Sequence, residues 1–202
     1  MIKFGLSILI LITLFCCDSH KKYKIKEIDN NTNIFFNDEV DIKDPVARDL
    51  FNRGLGYVQD SDFITADSLF RLADNREPNN VIIINALALN SYNICKETKE
   101  DLFIKAIQID KTFSPTYSNF AYCLNCDKQY SKAIKYLKEG FKYLKNNRLR
   151  AIFNYTLSIS YIRLDSCDIA KKYIEEAIEL ENDKTILNEY KGFKNYINDN
   201  CK

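Results

Sequence analysis

From Ala47 onward apolar positions recur three and four residues apart, the period of a helix buried on one side. Leu50, Gly54 and Tyr57 fall on one stripe, and Phe51, Leu55 and Val58 fall on a second, rotated by about 100°. Near the C-terminus Leu187, Tyr190, Phe193 and Ile197 keep this spacing and predict a last amphipathic helix over about 185–198. Pro45, Pro78 and Pro115 stand where helices start or units join, positions at which a missing N–H costs least. Ahead of Ala47 the pattern changes. A mostly apolar run, Phe4 to Phe15, follows Lys3, and residues 18–44 are polar, Asn-rich and weakly patterned apart from the knot Ile34-Phe35-Phe36.

The helical region repeats itself. Gly54, Tyr57, Ala66, Phe70, Ala73 and Pro78 set a ruler that returns as Tyr117, Phe120, Ala121, Leu124, Ala133, Leu137 and Gly140, and again as Leu157, Ser158, Tyr161, Ala170, Ile174 and Ala177. A degenerate copy lies between the first two, with Ile84, Leu87, Ala88, Phe103 and Ala106. The steps Ala73 to Ala106, Ala106 to Gly140 and Gly140 to Ala177 are 33, 34 and 37 residues. This register resembles the tetratricopeptide repeat (TPR), with Leu50 in place of that family's tryptophan and Arg53 in place of the leucine before its glycine.

The resemblance implies an all-α, right-handed α-solenoid of about four helix-turn-helix units, 47–80, 81–113, 114–147 and 151–184. The helix at 185–198 would cap the open end, as a terminal repeat requires. First helices are expected near 47–59, 80–93, 114–126 and 150–163, and second helices near 62–74, 98–109, 129–145 and 167–181. The extra residues of the longest step are expected after a long second helix, near Asn146 to Arg150. Gly54-x-Gly56 is then no phosphate loop: the third glycine is missing, Gln59 standing there, and the approach is helical. Gly54 is expected to let paired helices approach; Gly56 has no such assignment.

In such a solenoid the first helices line a groove. The second stripe would face it with Phe51, Leu55 and Val58, then Asn85, Leu89 and Tyr92, then Ser118, Tyr122 and Asn125, then Tyr155, Ile159 and Ile162. An apolar, aromatic surface with a few amides suits a peptide or protein ligand, because aromatics give contact area at low entropic cost. The alternative is that these residues bury one another. The carboxylate clamp of some co-chaperone members is not expected, since apolar side chains occupy the groove.

The N-terminal run is too short to span a bilayer, which takes about 20 apolar residues, and fits the h-region of a signal peptide, residues 1–16. Its end, "LFCC", resembles the lipobox of bacterial lipoproteins with Cys17 as the lipidated residue; Cys16 precedes it and Leu14 stands three back, although Phe15 is large for the motif. Acyl chains contribute ~0.8 kcal/mol per buried CH₂ and would hold the protein on a membrane of the cell envelope. Residues 17–46 would form a tether and 47–202 the repeat domain.

Composition narrows the remaining classes. Lys and Arg total 29 against 28 for Asp and Glu, so nothing favours nucleic acid. The single histidine, His20, leaves no basis for a histidine metal site or a Ser-His or Cys-His pair. Cys123 and Cys126 form a Cys-x-x-Cys inside an expected helix, without further metal ligands. Cys95, Cys167 and Cys201 complete the set beyond the leader; an exported chain can form disulfides, and the turn cysteines Cys95 and Cys167 are the candidates, though spacing alone does not pair them and the odd number leaves at least one free. Glu175, Glu176, Glu179 and Glu181 with Lys171 and Lys172 are expected to form a solvated, i,i+4-paired surface. No catalytic site, metal or cofactor is expected. The expectation is a non-enzymatic, membrane-anchored binding module in envelope or outer-membrane assembly, or alternatively an accessory for glycan or nutrient capture beside an outer-membrane transporter.

Overall fold

A computed structural model describes residues 41–94 and 99–201. Among these residues the chain is all-α, without strands: α1 Pro45–Gln59, α2 Phe63–Arg76, α3 Val81–Asn93, α4 Lys99–Ile109, α5 Pro115–Cys126, α6 Tyr130–Gly140, α7 Asn147–Ile162, α8 Cys167–Leu180 and α9 Lys184–Asn200, with a 3₁₀ turn at Phe141–Tyr143. Within each of two compact units, consecutive helices pack on one another, as they do in a helical solenoid. The signal peptide, Cys17, His20, the knot at 34–36 and Cys95 lie outside the described residues.

Short polar side chains start the helices. Asp44, with Pro45 in the first turn, accepts hydrogen bonds from the backbone N–H of Val46 and Ala47 at 2.9 and 2.8 Å. Asn80 does the same for Ile82 and Ile83, Asn146 for Leu149, and Asp183 for Thr185 and Ile186. Pro115 opens α5 and Pro78 lies in the turn between α2 and α3.

The described residues form two compact units, one running to Phe120 and one beginning at Ala121. In the first, α1 packs on α2, α2 on α3 and α3 on α4. Its core gathers Ile42, Phe51, Phe70, Ile83, Leu87, Ala106 and Phe113, and Phe103 stacks on Phe120 of α5 with ring centroids 4.9 Å apart. Val81 to Ile84 are all buried, as expected of a helix apolar on every side. In the second unit α6 packs on α7, α7 on α8 and α8 on α9. Ala151, Ala170, Ile174 and Ala177 form its core with Tyr190 and Ile197 of the last helix.

Three expectations change. The second helix expected over 129–145 stops at Gly140 and tightens into the 3₁₀ turn. Asn147 to Leu149, expected in the connection ahead of a helix starting near Arg150, belong to α7, which begins once Asn146 caps it. The stretch expected to tether, 17–46, is already part of the fold from Asp41. Ile42 is buried, Arg48 donates to the Ile42 carbonyl at 2.6 and 2.9 Å, and Asn80 donates to the Asp41 carbonyl at 2.9 Å. The Asp44 N–H donates to Glu77 at 2.7 Å, and Asp44 pairs with Arg76 at 3.1 Å.

Candidate binding face

The turn that joins the first to the second helix of a unit has one geometry in three places. Ser61, Lys128 and Asp165 adopt the left-handed conformation, with φ of 63°, 61° and 54°. In each case the following N–H reaches back five residues to a carbonyl: Asp62 to Tyr57 at 2.8 Å, Gln129 to Leu124 at 2.7 Å and Ser166 to Tyr161 at 2.9 Å. The left-handed residue itself donates to Val58, Asn125 and Ile162, which completes a Schellman closure. Tyr57, Leu124 and Tyr161 are the positions that the sequence ruler aligns, and the alanines it aligns next, Ala66, Ala133 and Ala170, are fully buried.

Gly54 confirms its expected role. A Cβ built there would stand 2.6 Å from Cε1 of Phe70, so only a hydrogen lets α1 meet α2 at this depth. The same operation at Gly56 meets nothing within 4 Å.

The second stripe divides by exposure. In the first unit Phe51, Val58, Asn85, Tyr92 and Ser118 are buried, and Leu55 and Leu89 are half-buried. Phe51 packs on Phe70 with centroids 5.5 Å apart. Asn85 accepts a hydrogen bond from Asn119 at 3.3 Å, and Ser118 donates to the Pro115 carbonyl at 3.0 Å. In the second unit Tyr122 is 46% exposed, whereas Asn125, Tyr155, Ile159 and Ile162 are half-buried. Asn125 donates to the Thr156 carbonyl at 3.4 Å and accepts from Ser160 at 2.8 Å, tying α5 to α7. Much of the expected groove chemistry is therefore spent inside the protein. The amides link neighbouring first helices, and Tyr122, one turn before Asn125, is the stripe residue that presents a ring to solvent.

Tyr155, expected to face the groove, packs against the last helix. It stacks on Tyr190 of α9 at 4.5 Å and meets Phe193 edge-on at 5.4 Å. Burial, with Glu189 nearby, raises the Tyr155 hydroxyl above the ordinary phenol range; burial and Glu181 do the same for Tyr190. Both rings stay neutral and serve packing. Beside them Tyr161 and Tyr173 stack at 5.6 Å, and a hydrogen bond with Tyr161 raises the Lys138 ammonium, which lies 6.0 Å over that ring.

The acidic cluster on α8 is more than a solvated face. Glu175 pairs with Lys194 of α9 at 2.7 Å, Glu176 accepts from Asn154 of α7 at 3.2 Å, and buried Glu181 accepts from the N–H groups of Asn182 and Asp183 at 2.8 Å each. Three of the four carboxylates thus also hold helices or a turn, while Glu175 and Glu179 are exposed as a solvated face would be.

Cys123 is buried and Cys126 half-buried, both on α5. Cys167 and Cys201 are joined in a disulfide with Cα atoms 5.7 Å apart. The sequence pattern offers Cys95 and Cys167 as candidates and misses Cys201 as the partner, yet a signal exists: Cys167 and Cys201 lie 34 residues apart, at the outer ends of two helices joined by one short turn. Among the described residues no three His, Cys, Asp or Glu side chains gather as a metal site would require, and no helix is long and apolar enough to cross a membrane. A scan against protein-family models finds no match, and a search of curated proteins finds no significant relative.

Proposed function

We propose that this chain is a tetratricopeptide-repeat lipoprotein, held on a membrane of the cell envelope by a lipid on Cys17, whose repeat domain binds a partner polypeptide without catalysing a reaction. One observation carries the family reading: the recurrence of the Schellman turn at Ser61, Lys128 and Asp165 in step with the buried alanines Ala66, Ala133 and Ala170. Fixed turn geometry at repeat spacing is what a stack of equivalent hairpins needs. The binding reading rests on Tyr122, an exposed ring on a first helix whose neighbouring amide is already committed to α7. An exposed aromatic on a helix gives contact area at little entropic cost.

The test places a photo-crosslinking amino acid at Tyr122 in the full-length chain in cells. A discrete protein adduct, lost on competition by the unlabelled chain but retained against its Tyr122→Ser variant, is the expected result. Crosslinks only to glycan, or a pattern that both competitors suppress equally, would overturn protein binding at this face. The anchor has its own test. Cys17→Ala should move the protein from the membrane pellet to the soluble fraction, and recovery in the pellet would exclude lipidation as the anchor.

A further inference from the structure

The last two helices are closed at both ends. One end is the turn Glu181–Asp183, fastened by the buried Glu181 carboxylate. The other is the bond from Cys167, the first residue of α8, to Cys201, which caps α9. Between them α9 is held through Tyr190, Phe193 and Ile197, but past Ile197 the residues Asn198, Asp199 and Asn200 are all exposed. Between Ile197 and Cys201 the end of α9 thus adds no apolar side chain to the core, and Cys201 is what holds it there; a helix end with so little packing frays readily. Both cysteines are half-buried, neither being fully enclosed by the core.

We propose that the Cys167–Cys201 bond is a redox latch on the last helix: oxidised, it holds α9 across α8; reduced, it lets α9 open from its C-terminal end and uncovers the apolar face of Ala170, Ile174 and Ala177. The reductant is a dithiol. Its thiolate attacks one sulfur, the S–S bond breaks, and the departing thiolate takes up a proton. The reductant's second thiol, as thiolate, then attacks the mixed disulfide and releases the other cysteine, which is protonated in turn. The reductant ends as a disulfide and the protein carries two thiols, so two electrons and two protons have passed to it. The latch stands independently of the proposed binding function.

Amide hydrogen exchange read by mass spectrometry on the full-length chain tests this, with and without dithiothreitol, beside the double variant Cys167→Ser, Cys201→Ser. The expected result is exchange across Lys184–Asn200 at least ~10-fold faster after reduction, with α1 to α3 unchanged. The double variant should match the reduced protein and ignore dithiothreitol. Equal α9 exchange in oxidised and reduced protein would overturn the proposal, as would loss of protection throughout the chain, which would make the bond a global brace. Alkylation of Cys201 without prior reduction would overturn it as well. If the double variant fails to fold, the wild-type pair of measurements still decides.

Discussion

Two glycines two positions apart in α1, Gly54 and Gly56, make opposite predictions. At Gly54 an alanine Cβ would strike the ring of Phe70, itself packed on Phe51 in the core. Overpacking of this kind costs about 1–3 kcal/mol and outweighs the gain in helix propensity of about 1 kcal/mol. At Gly56 the Cβ meets open space, so alanine should stabilise by up to ~1 kcal/mol. Urea titration of Gly54→Ala and Gly56→Ala reads both, and midpoints moving in the same direction would refute the distinction. Asp44 supplies a pH dependence. The hydrogen bond from the Ala47 N–H, aided by Arg76, holds its carboxyl below the ordinary 3.8. A group whose folded pKa is depressed contributes stability that is full above the unfolded value and fades as pH falls through the folded one. Thermal melts between about pH 6 and pH 2 should therefore show a smaller acid loss in Asp44→Asn, which keeps an acceptor but no charge, than in wild type.

Among the elements, the turns carry the most information and were the hardest to see. Among the described residues the left-handed positions are held by Ser61, Asn79, Lys128 and Asp165, so a search for glycine as helix punctuation passes over every one of them. A left-handed residue with a Cβ costs about 1–2 kcal/mol. Lys128→Gly should recover about 1 kcal/mol, and Lys128→Val, β-branched, should lose more than that; chemical denaturation of the two variants checks the order. The helices themselves were legible because their apolar spacing is set by burial, and observed first helices fall within about three residues of those expected. The end of α6 was not, since nothing in Phe141-Lys142-Tyr143 breaks an apolar pattern while the backbone tightens beneath it. The candidate face was half legible. Periodicity places Tyr122 and Asn125 on one stripe, but whether an amide faces water or a carbonyl of the next helix depends on the partner helix, which periodicity along one helix does not encode. The α8 carboxylates misled for the same reason: Lys194 lies on another helix.

For the molecule as a whole, the last helix is the piece whose loss should matter most. Ending the chain after Asp183 would strip Tyr190, Phe193 and Ile197 from the core they share with Ala170, Ile174 and Ala177. Exposed apolar faces at the end of a repeat stack promote self-association. Light scattering after size exclusion should then show a mass that rises with concentration for the truncated chain and a constant one for the full-length chain. At the opposite end of the sequence, the clasp around Asp41, Ile42 and Asp44 sets how the fold would answer a mechanical pull. A tug applied from the N-terminal side enters the described structure at Asp41. There it loads Arg48, Asn80, Glu77 and Arg76 together, because each bonds to a different atom of the same four-residue segment. Force is shared among several bonds at the very start of α1, so the chain would yield in one step and not unwind turn by turn.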